Sequence, residues 1–285
     1  MVDNRSQRAR IAQETLGFLR EGSYRSPLGK QVDLTRLLAD SREATELLRP
    51  KDWPAIHAQA ARVAENGQSA VVEVTPETTL TAACRLAAET AARVVALNFA
   101  SANNPGGGFL GGSQAQEESL ARASGLYPCL LRQPEYYEAN CRCGALLYTD
   151  HAIHSPCVPV FRDDAGRLLD DVRAVGFLTM PAPNLGAMPN GSPETRQVAA
   201  IFRRRCEYVL ALAVARGYSH VVLGAWGCGV FRNDPAVVAE AFAAGTRAWS
   251  TRLKAVTFAV FDKTGRIREA FARRLTPGQS TGDRP

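Results

Sequence analysis

Glu117 and Glu118 stand side by side a short way beyond a triple glycine, in the run Asn103-Asn104-Pro105-Gly106-Gly107-Gly108-Phe109-Leu110-Gly111-Gly112-Ser113-Gln114-Ala115-Gln116-Glu117-Glu118. Glycine has no Cβ and accepts positive φ, so the amides of such a loop can close on an anion or a sugar. The residues from 114 to 124 read as a helix, which puts the acid pair in its N-terminal turn. There the helix dipole favours the carboxylate, so proton donation requires a further influence that raises a carboxyl pKa. Neighbours on an ideal helix diverge by about 100°, so the two glutamates cannot share one task. The local chemistry is a binding cradle feeding a general acid/base. The bland alternative, two exposed helix charges, is the commoner fate of a Glu-Glu pair.

The elements that must position this pair alternate along the chain. Short β-branched and apolar runs at 70–74, 94–99, 158–162, 174–180, 221–225 and 256–261 alternate with helical patterns at 79–93, 113–124, 193–216, 235–250 and 266–274. Before them lie a helix over 7–21, an irregular stretch over 23–34, and helical patterns over 34–48 and 53–65. Buried strands alternating with helices predict an α/β fold, a mostly parallel or mixed sheet flanked by helices. Ligands in such sheets gather beyond the carboxyl ends of strands. Residues 98–112 follow one predicted strand. A second glycine-rich run, Gly224-Ala225-Trp226-Gly227-Cys228-Gly229-Val230-Phe231-Arg232-Asn233-Asp234-Pro235, follows another. Glycines on both sides of Cys228 suit anion binding better than a simple hairpin. A nucleophilic Cys228 is rejected, because no histidine is placed by motif to activate it.

With 285 residues and 46% hydrophobic content the chain can bury a sizeable core. No apolar run approaches the ~20 residues of a membrane span, and the start of the chain lacks a secretory pattern, so a cytoplasmic protein is expected. The net charge of +6 suits an anionic partner, yet the basic residues are dispersed and no stripe interleaved with aromatics marks a nucleic-acid surface. Seven cysteines form no disulfide framework. Cys141, Cys143, His151, His154 and Cys157 are candidate zinc ligands by type, but their spacing lacks a C-x2-C pair and the segment contains Pro156 and Pro159, so sheltered thiols on a surface loop are expected instead.

Taken together, Gly106-Gly107-Gly108, a spacer and Gln116-Glu117-Glu118 resemble the signature of poly(ADP-ribose) glycohydrolases. Leu97-Asn98-Phe99-Ala100 before it, and the stretch from Ser119-Leu120 to Pro128-Cys129-Leu130 after it, look like the compact bacterial branch. The run at 224–235 resembles the family's second glycine loop, and the likeness spans roughly residues 50 to 275. It implies a macrodomain over 67–275, preceded by a helical extension over 1–66 and followed by a disordered tail over 276–285. It also implies hydrolysis of ribose–ribose bonds from chain ends, releasing ADP-ribose, without cofactor or metal, in a DNA damage response.

The site residues follow the same resemblance. Glu118 would be the acid/base, Glu117 would hold ribose hydroxyls and orient it, and Gln116 would bind substrate or support the loop. Gly106, Gly107, Gly108 and Phe109 would line the cradle. Gly227, Cys228, Gly229, Val230 and Phe231 would form the diphosphate loop, with amides on the phosphates and Phe231 against a ribose. Asn103 and Asn104 fit either ribose binding or a turn start, and Phe261 fits either adenine stacking or the core. The partners implied are poly(ADP-ribose), ADP-ribose and ADP-ribosylated proteins. A non-catalytic ADP-ribose-binding macrodomain and a hydrolase of protein or nucleic-acid adducts are the rivals; a binder has no need of Glu118.

Overall fold

A computed structural model describes residues 4–189 and 191–276; most of the tail expected to be disordered lies outside them. The chain opens with α1 (Arg5–Glu21), a hairpin of β1 (Ser23–Arg25) and β2 (Gln31–Asp33), then α2 (Thr35–Glu43), β3 (Glu46–Leu48) and α3 (Trp53–Ala61). There follow β4 (Val71–Thr75), α4 (Thr79–Glu89), β5 (Val94–Phe99), α5 (Gln116–Ala123), α6 (Leu126–Leu131) and α7 (Pro134–Arg142). The last third holds β6 (Ala152–Arg162), β7 (Leu168–Met180), α8 (Val198–Ala215), β8 (His220–Leu223), α9 (Pro235–Trp249), β9 (Ala255–Ala259) and α10 (Arg266–Leu275).

Seven strands form one mixed sheet in the order β3-β6-β7-β5-β8-β9-β4. The five from β7 to β4 run parallel; β6 pairs antiparallel with β7, and β3 antiparallel with β6. Alternation along the central strands divides the core. Val95, Leu97, Val221, Leu223, Val256 and Phe258 join the face covered by α3, α8, α9 and α10. Val94, Ala96 and Val222 join the opposite face, with Leu120, Leu126 and Tyr136. Strands buried on both faces read as continuous apolar runs, which is why 94–99 was legible. Adjacent β5 and β8 send their following helices to opposite faces, α5 to one and α9 to the other. A crevice must open at such a divergence, beyond the carboxyl ends of the two strands.

Several sequence expectations need correction. The helix over 34–48 stops at Glu43, and Glu46–Leu48 forms an edge strand paired with β6. The irregular stretch over 23–34 contains the hairpin, with Tyr24 and Val32 buried against Phe161. Strand β6 begins well before residue 158, because a bulge between Ser155 and Val158 absorbs Pro156 and sets Cys157 at φ 52°. His154 therefore lies in a buried strand instead of a surface loop. Helices α6 and α7 fill a region left without an element.

Candidate active site

A cleft of about 420 Å³ opens at that divergence. Every parallel strand contributes its carboxyl end: Thr78 and Thr79 after β4, Phe99 and Ala100 at β5, Ala182 after β7, Ala225 to Gly227 and Gly229 to Phe231 after β8, and Ala259 to Phe261 at β9. Gln114 to Gln116, at the start of α5, close one side. Phe261 lies two residues beyond the end of β9, half exposed, and faces the cleft instead of the core.

The acid pair sits in the first turn of α5. Glu117 is almost wholly buried, with Oε2 accepting from the Ser101 amide at 2.6 Å and Oε1 from Asn98 Nδ2 at 3.3 Å. Burial pushes its carboxyl up to about 8; the hydrogen bonds from Ser101 and Asn98 oppose that, and the neighbouring charge of Glu118 adds to it. The raised carboxyl thus falls on Glu117, the residue expected to hold the ribose and not the one expected to donate the proton. Glu118 is half-buried, and its Oε1 accepts from the Gly108 amide at 3.1 Å.

Gly107 joins the loop to the pair. It holds φ 58°, and a Cβ there would overlap Glu118 Oε1 and lie 3.4 Å from Glu117 Oε2. Only glycine leaves room for both carboxyl groups and a left-handed backbone. Gln116 is a brace as well as a wall: its Oε1 accepts from the Phe99 amide at 2.8 Å and its Nε2 donates to the Leu97 carbonyl at 2.7 Å. It pins α5 to the end of β5. The amides of Asn103 and Asn104 donate to Ser101 Oγ, and the Asn104 carbonyl accepts from the Gly107 amide. This is the turn-start arrangement, with both carboxamides exposed.

Two expected ligand contacts change role. Phe109 is buried between Ala12 and Ala121 with its ring edge-on to Tyr127, so it anchors the glycine loop from beneath and cannot line the cradle. The Cys228 amide is already bonded to the Ala225 carbonyl at 3.1 Å, and burial pushes its thiol up to about 12, which removes both an amide contact and a thiolate. By contrast, the amides of Gly227, Gly229, Val230 and Phe231 meet no protein acceptor among the described residues. Asn233 shapes this loop by donating to the carbonyls of Pro183 and Gly227. The Cβ that Gly227 lacks would collide with that carboxamide at 2.5 Å.

Sequence reasoning missed several participants. Asn98 bridges Glu117 and Thr179, a partner 81 residues away, and Ser101 supplies the amide on Glu117. The Thr78 and Thr81 hydroxyls donate to Asp164, which reaches the cleft from the β6–β7 turn. None carries a local signal; only the sheet brings them together. His154 binds Glu46 and Tyr218, and no three His, Cys, Asp or Glu side chains among the described residues form a metal-sized group.

A macrodomain-like α/β sheet, one glycine loop lining its crevice and another packed on a carboxyl pair at the start of α5 define a ligand-binding domain equipped for acid/base chemistry. The family model of the microbial-type PARG catalytic domain matches residues 12–163. Among solved structures, the chain is similar to poly(ADP-ribose) glycohydrolase from Thermomonospora curvata, at 44% identity over 94% of this chain and 99% of that one, with a TM-score of 0.89. The same enzyme bound to the inhibitor ADP-HPD superposes with a TM-score of 0.86 at the same identity and coverage. The glycohydrolase from Deinococcus radiodurans in complex with ADP-ribose gives 44% identity, 84% of this chain, 97% of that one and a TM-score of 0.78. No curated protein gives a significant match. The chain belongs to the microbial-type poly(ADP-ribose) glycohydrolases, which are glycosidases.

Proposed function

We propose that this glycohydrolase shortens poly(ADP-ribose) from its ends, including polymer carried on proteins, and releases ADP-ribose with Glu118 as general acid and then base. The observation that carries the reading is Gly107, whose missing Cβ lets one loop backbone touch both carboxyl groups. A ribose laid on that loop meets the acid pair directly. The four unbonded amides of the 227–231 segment suit a diphosphate, and Phe99, Phe261 and Ile267 offer an apolar end for adenine. The binding of ADP-ribose by the Deinococcus radiodurans relative supports this nucleotide as the ligand. Cleavage from the ends is supported by the cleft, which five strand ends and the start of α5 surround.

Cleaving the ribose–ribose bond develops oxocarbenium character at the anomeric carbon, and the departing oxygen requires a proton. Glu118, the more exposed carboxyl, delivers it. Glu117, fixed by Asn98 and Ser101, accepts hydrogen bonds from ribose hydroxyls and so holds the ring against Glu118. Water then enters on the side the leaving group vacates, and the Glu118 carboxylate removes its proton as the new bond forms. A Glu118→Gln variant should bind ADP-ribose within about threefold of the parent while turnover on polymer falls by about 10²- to 10⁴-fold. Unchanged turnover would remove Glu118 from the mechanism. A parent protein that binds ADP-ribose but never shortens polymer would show a reader of the nucleotide instead.

A further inference from the structure

Three non-glycine residues among those described hold positive φ: Tyr148 at 55°, Cys157 at 52° and Arg232 at 54°. Cys157 sits in the β6 bulge, and the Arg232 amide closes a turn onto the Gly229 carbonyl. Tyr148 lies in the loop between α7 and β6, where its amide likewise closes a turn, onto the Ala145 carbonyl at 3.1 Å, and its own carbonyl is held from outside that turn. A bulky side chain resists the left-handed region, so it persists there only when its surroundings hold it, and such residues concentrate at functional sites.

The holder is Arg205 of α8, a fully buried guanidinium. Its Nη2 donates to the carbonyls of Leu147 at 2.8 Å and Tyr148 at 2.9 Å, its Nη1 to that of Pro181 at 3.0 Å, and its Nε to Asp150 at 2.8 Å. One planar cation thereby locks the Tyr148 loop to the loop that follows β7. The Gly186 amide then donates to the Phe231 carbonyl at 2.8 Å, which ties the post-β7 loop to the second glycine loop. The half-buried Tyr148 ring comes to rest with its centroid 6.4 Å from that of Phe231, at an interplanar angle of 40°. Phe231 lines the cleft and Tyr148 does not.

We propose that Tyr148 is a positioning residue: held in strain by Arg205, its ring backs Phe231 and keeps that aromatic aimed at the bound nucleotide. This rests on the reading above that Phe231 packs against ligand. Tyr148 touches no reacting atom, so its loss weakens binding and leaves the chemical step alone. An origin in folding alone makes the opposite forecast, since glycine at a left-handed position relieves strain and affinity has no reason to move.

The test is Tyr148→Gly, with Tyr148→Asn as a second variant that also tolerates positive φ and Tyr148→Phe as the conservative rescue. ADP-ribose affinity by calorimetry and polymer kinetics are measured beside thermal stability. The expected result is a melting temperature at or above the parent's, with Kd and KM raised about fivefold, kcat within about twofold, and Tyr148→Phe restoring both constants. In a Phe231→Ala background the Tyr148→Gly effect should vanish, because the two act through one contact. Tyr148→Gly and Tyr148→Asn binding ADP-ribose like the parent would overturn the inference, as would full additivity with Phe231→Ala. Should Phe231→Ala itself leave affinity unchanged, the underlying assignment of Phe231 fails, which is a separate outcome.

Discussion

Glu117 combines near-complete burial with a carboxyl raised from 4.5 to about 8 by that burial, although it lies against the glycine loop at Gly107. The sign of its effect on stability follows directly. A carboxyl whose folded pKa lies above its unfolded one favours folding fully below about 4.5, and that contribution is lost as the pH rises toward 8. Replacing it with glutamine removes the charge but keeps the shape. The amide then requires one acceptor, and Asn98 Oδ1 is buried without a partner, so rotation of the Asn98 carboxamide supplies one. Glu117→Gln should therefore match the parent's stability near pH 4 and exceed it near pH 9, by on the order of 2 to 4 kcal/mol. Denaturant melts across that range check it. A pH-independent difference would mean that Glu117 is not held in the protonated state by burial. The same variant should lose turnover, since a carboxamide NH2 cannot accept from a ribose hydroxyl where a carboxyl oxygen can.

At the scale of the element, α1 explains what the N-terminal segment does for the site. Arg5 Nε donates to the Gly111 carbonyl at 2.9 Å and Arg8 Nε to that of Gly112 at 2.8 Å, while Thr15 Oγ1 donates to the Arg122 carbonyl at 2.7 Å. Gly112, at φ 75°, packs so tightly on α1 that an added Cβ would lie 3.1 Å from the Ala9 amide nitrogen and overlap the Arg5 carbonyl oxygen. The helix thus clamps both the far end of the glycine loop and the end of α5, the two segments between which the acid pair sits. Arg5→Ala combined with Arg8→Ala should lower kcat/KM by about tenfold, because small misplacements of a catalytic group are costly in rate, while thermal stability changes little. Kinetics that stay at parent level would reduce α1 to a cover for the sheet. How far this was legible varies by element. Continuous apolar strands such as 94–99 and the glycine loops announce themselves through composition. Strand β3 does not: Glu46-Leu47-Leu48 is too short to show a period, and pairing with β6 decides it. Helices α6 and α7 hide behind Gly125, Pro128 and Pro134, although proline at the first position of α7 starts that helix. Phe109 reads as part of the cradle and Asn98 stays open because their partners, Ala12 and Thr179, are distant in sequence.

Across the whole molecule, the far edge of the sheet is fastened by a polar cluster well away from the cleft. Glu46 on β3 accepts from Arg216 Nε at 2.6 Å and Nη2 at 3.0 Å, and pairs with His154 Nδ1 at 2.8 Å; His154 Nε2 meets the Tyr218 hydroxyl at 2.9 Å. Burial lowers the His154 pKa, so the ring is neutral at pH 7, and burial pushes the Tyr218 hydroxyl up to about 12. One tautomer satisfies the chain: Nδ1–H donates to Glu46 and Nε2 accepts from the tyrosine. Burial alone would raise the Glu46 carboxyl, but the hydrogen bonds from His154 and Arg216 outweigh it and hold the group at about 2, with Arg216 as the true counter-charge. Both groups titrate below their unfolded values, so stability is lost as the pH falls: below about 6.5 through His154, then between 4.5 and 2 through Glu46. Glu46 is more than a third exposed, so solvent screening keeps its share small. Glu46→Gln should destabilise by about 1 kcal/mol at pH 7, and the difference should shrink as the parent's own carboxylate is protonated below pH 4.5. The loss below pH 6.5 should remain in the variant, because the buried imidazole causes it. Turnover at pH 7 should match the parent's, since β3 lies at one edge of the sheet and the cleft lies over β5 and β8. A gap in stability that persists unchanged down to pH 3, or a fall in activity at pH 7, would show that this cluster couples to the site rather than fastening the sheet.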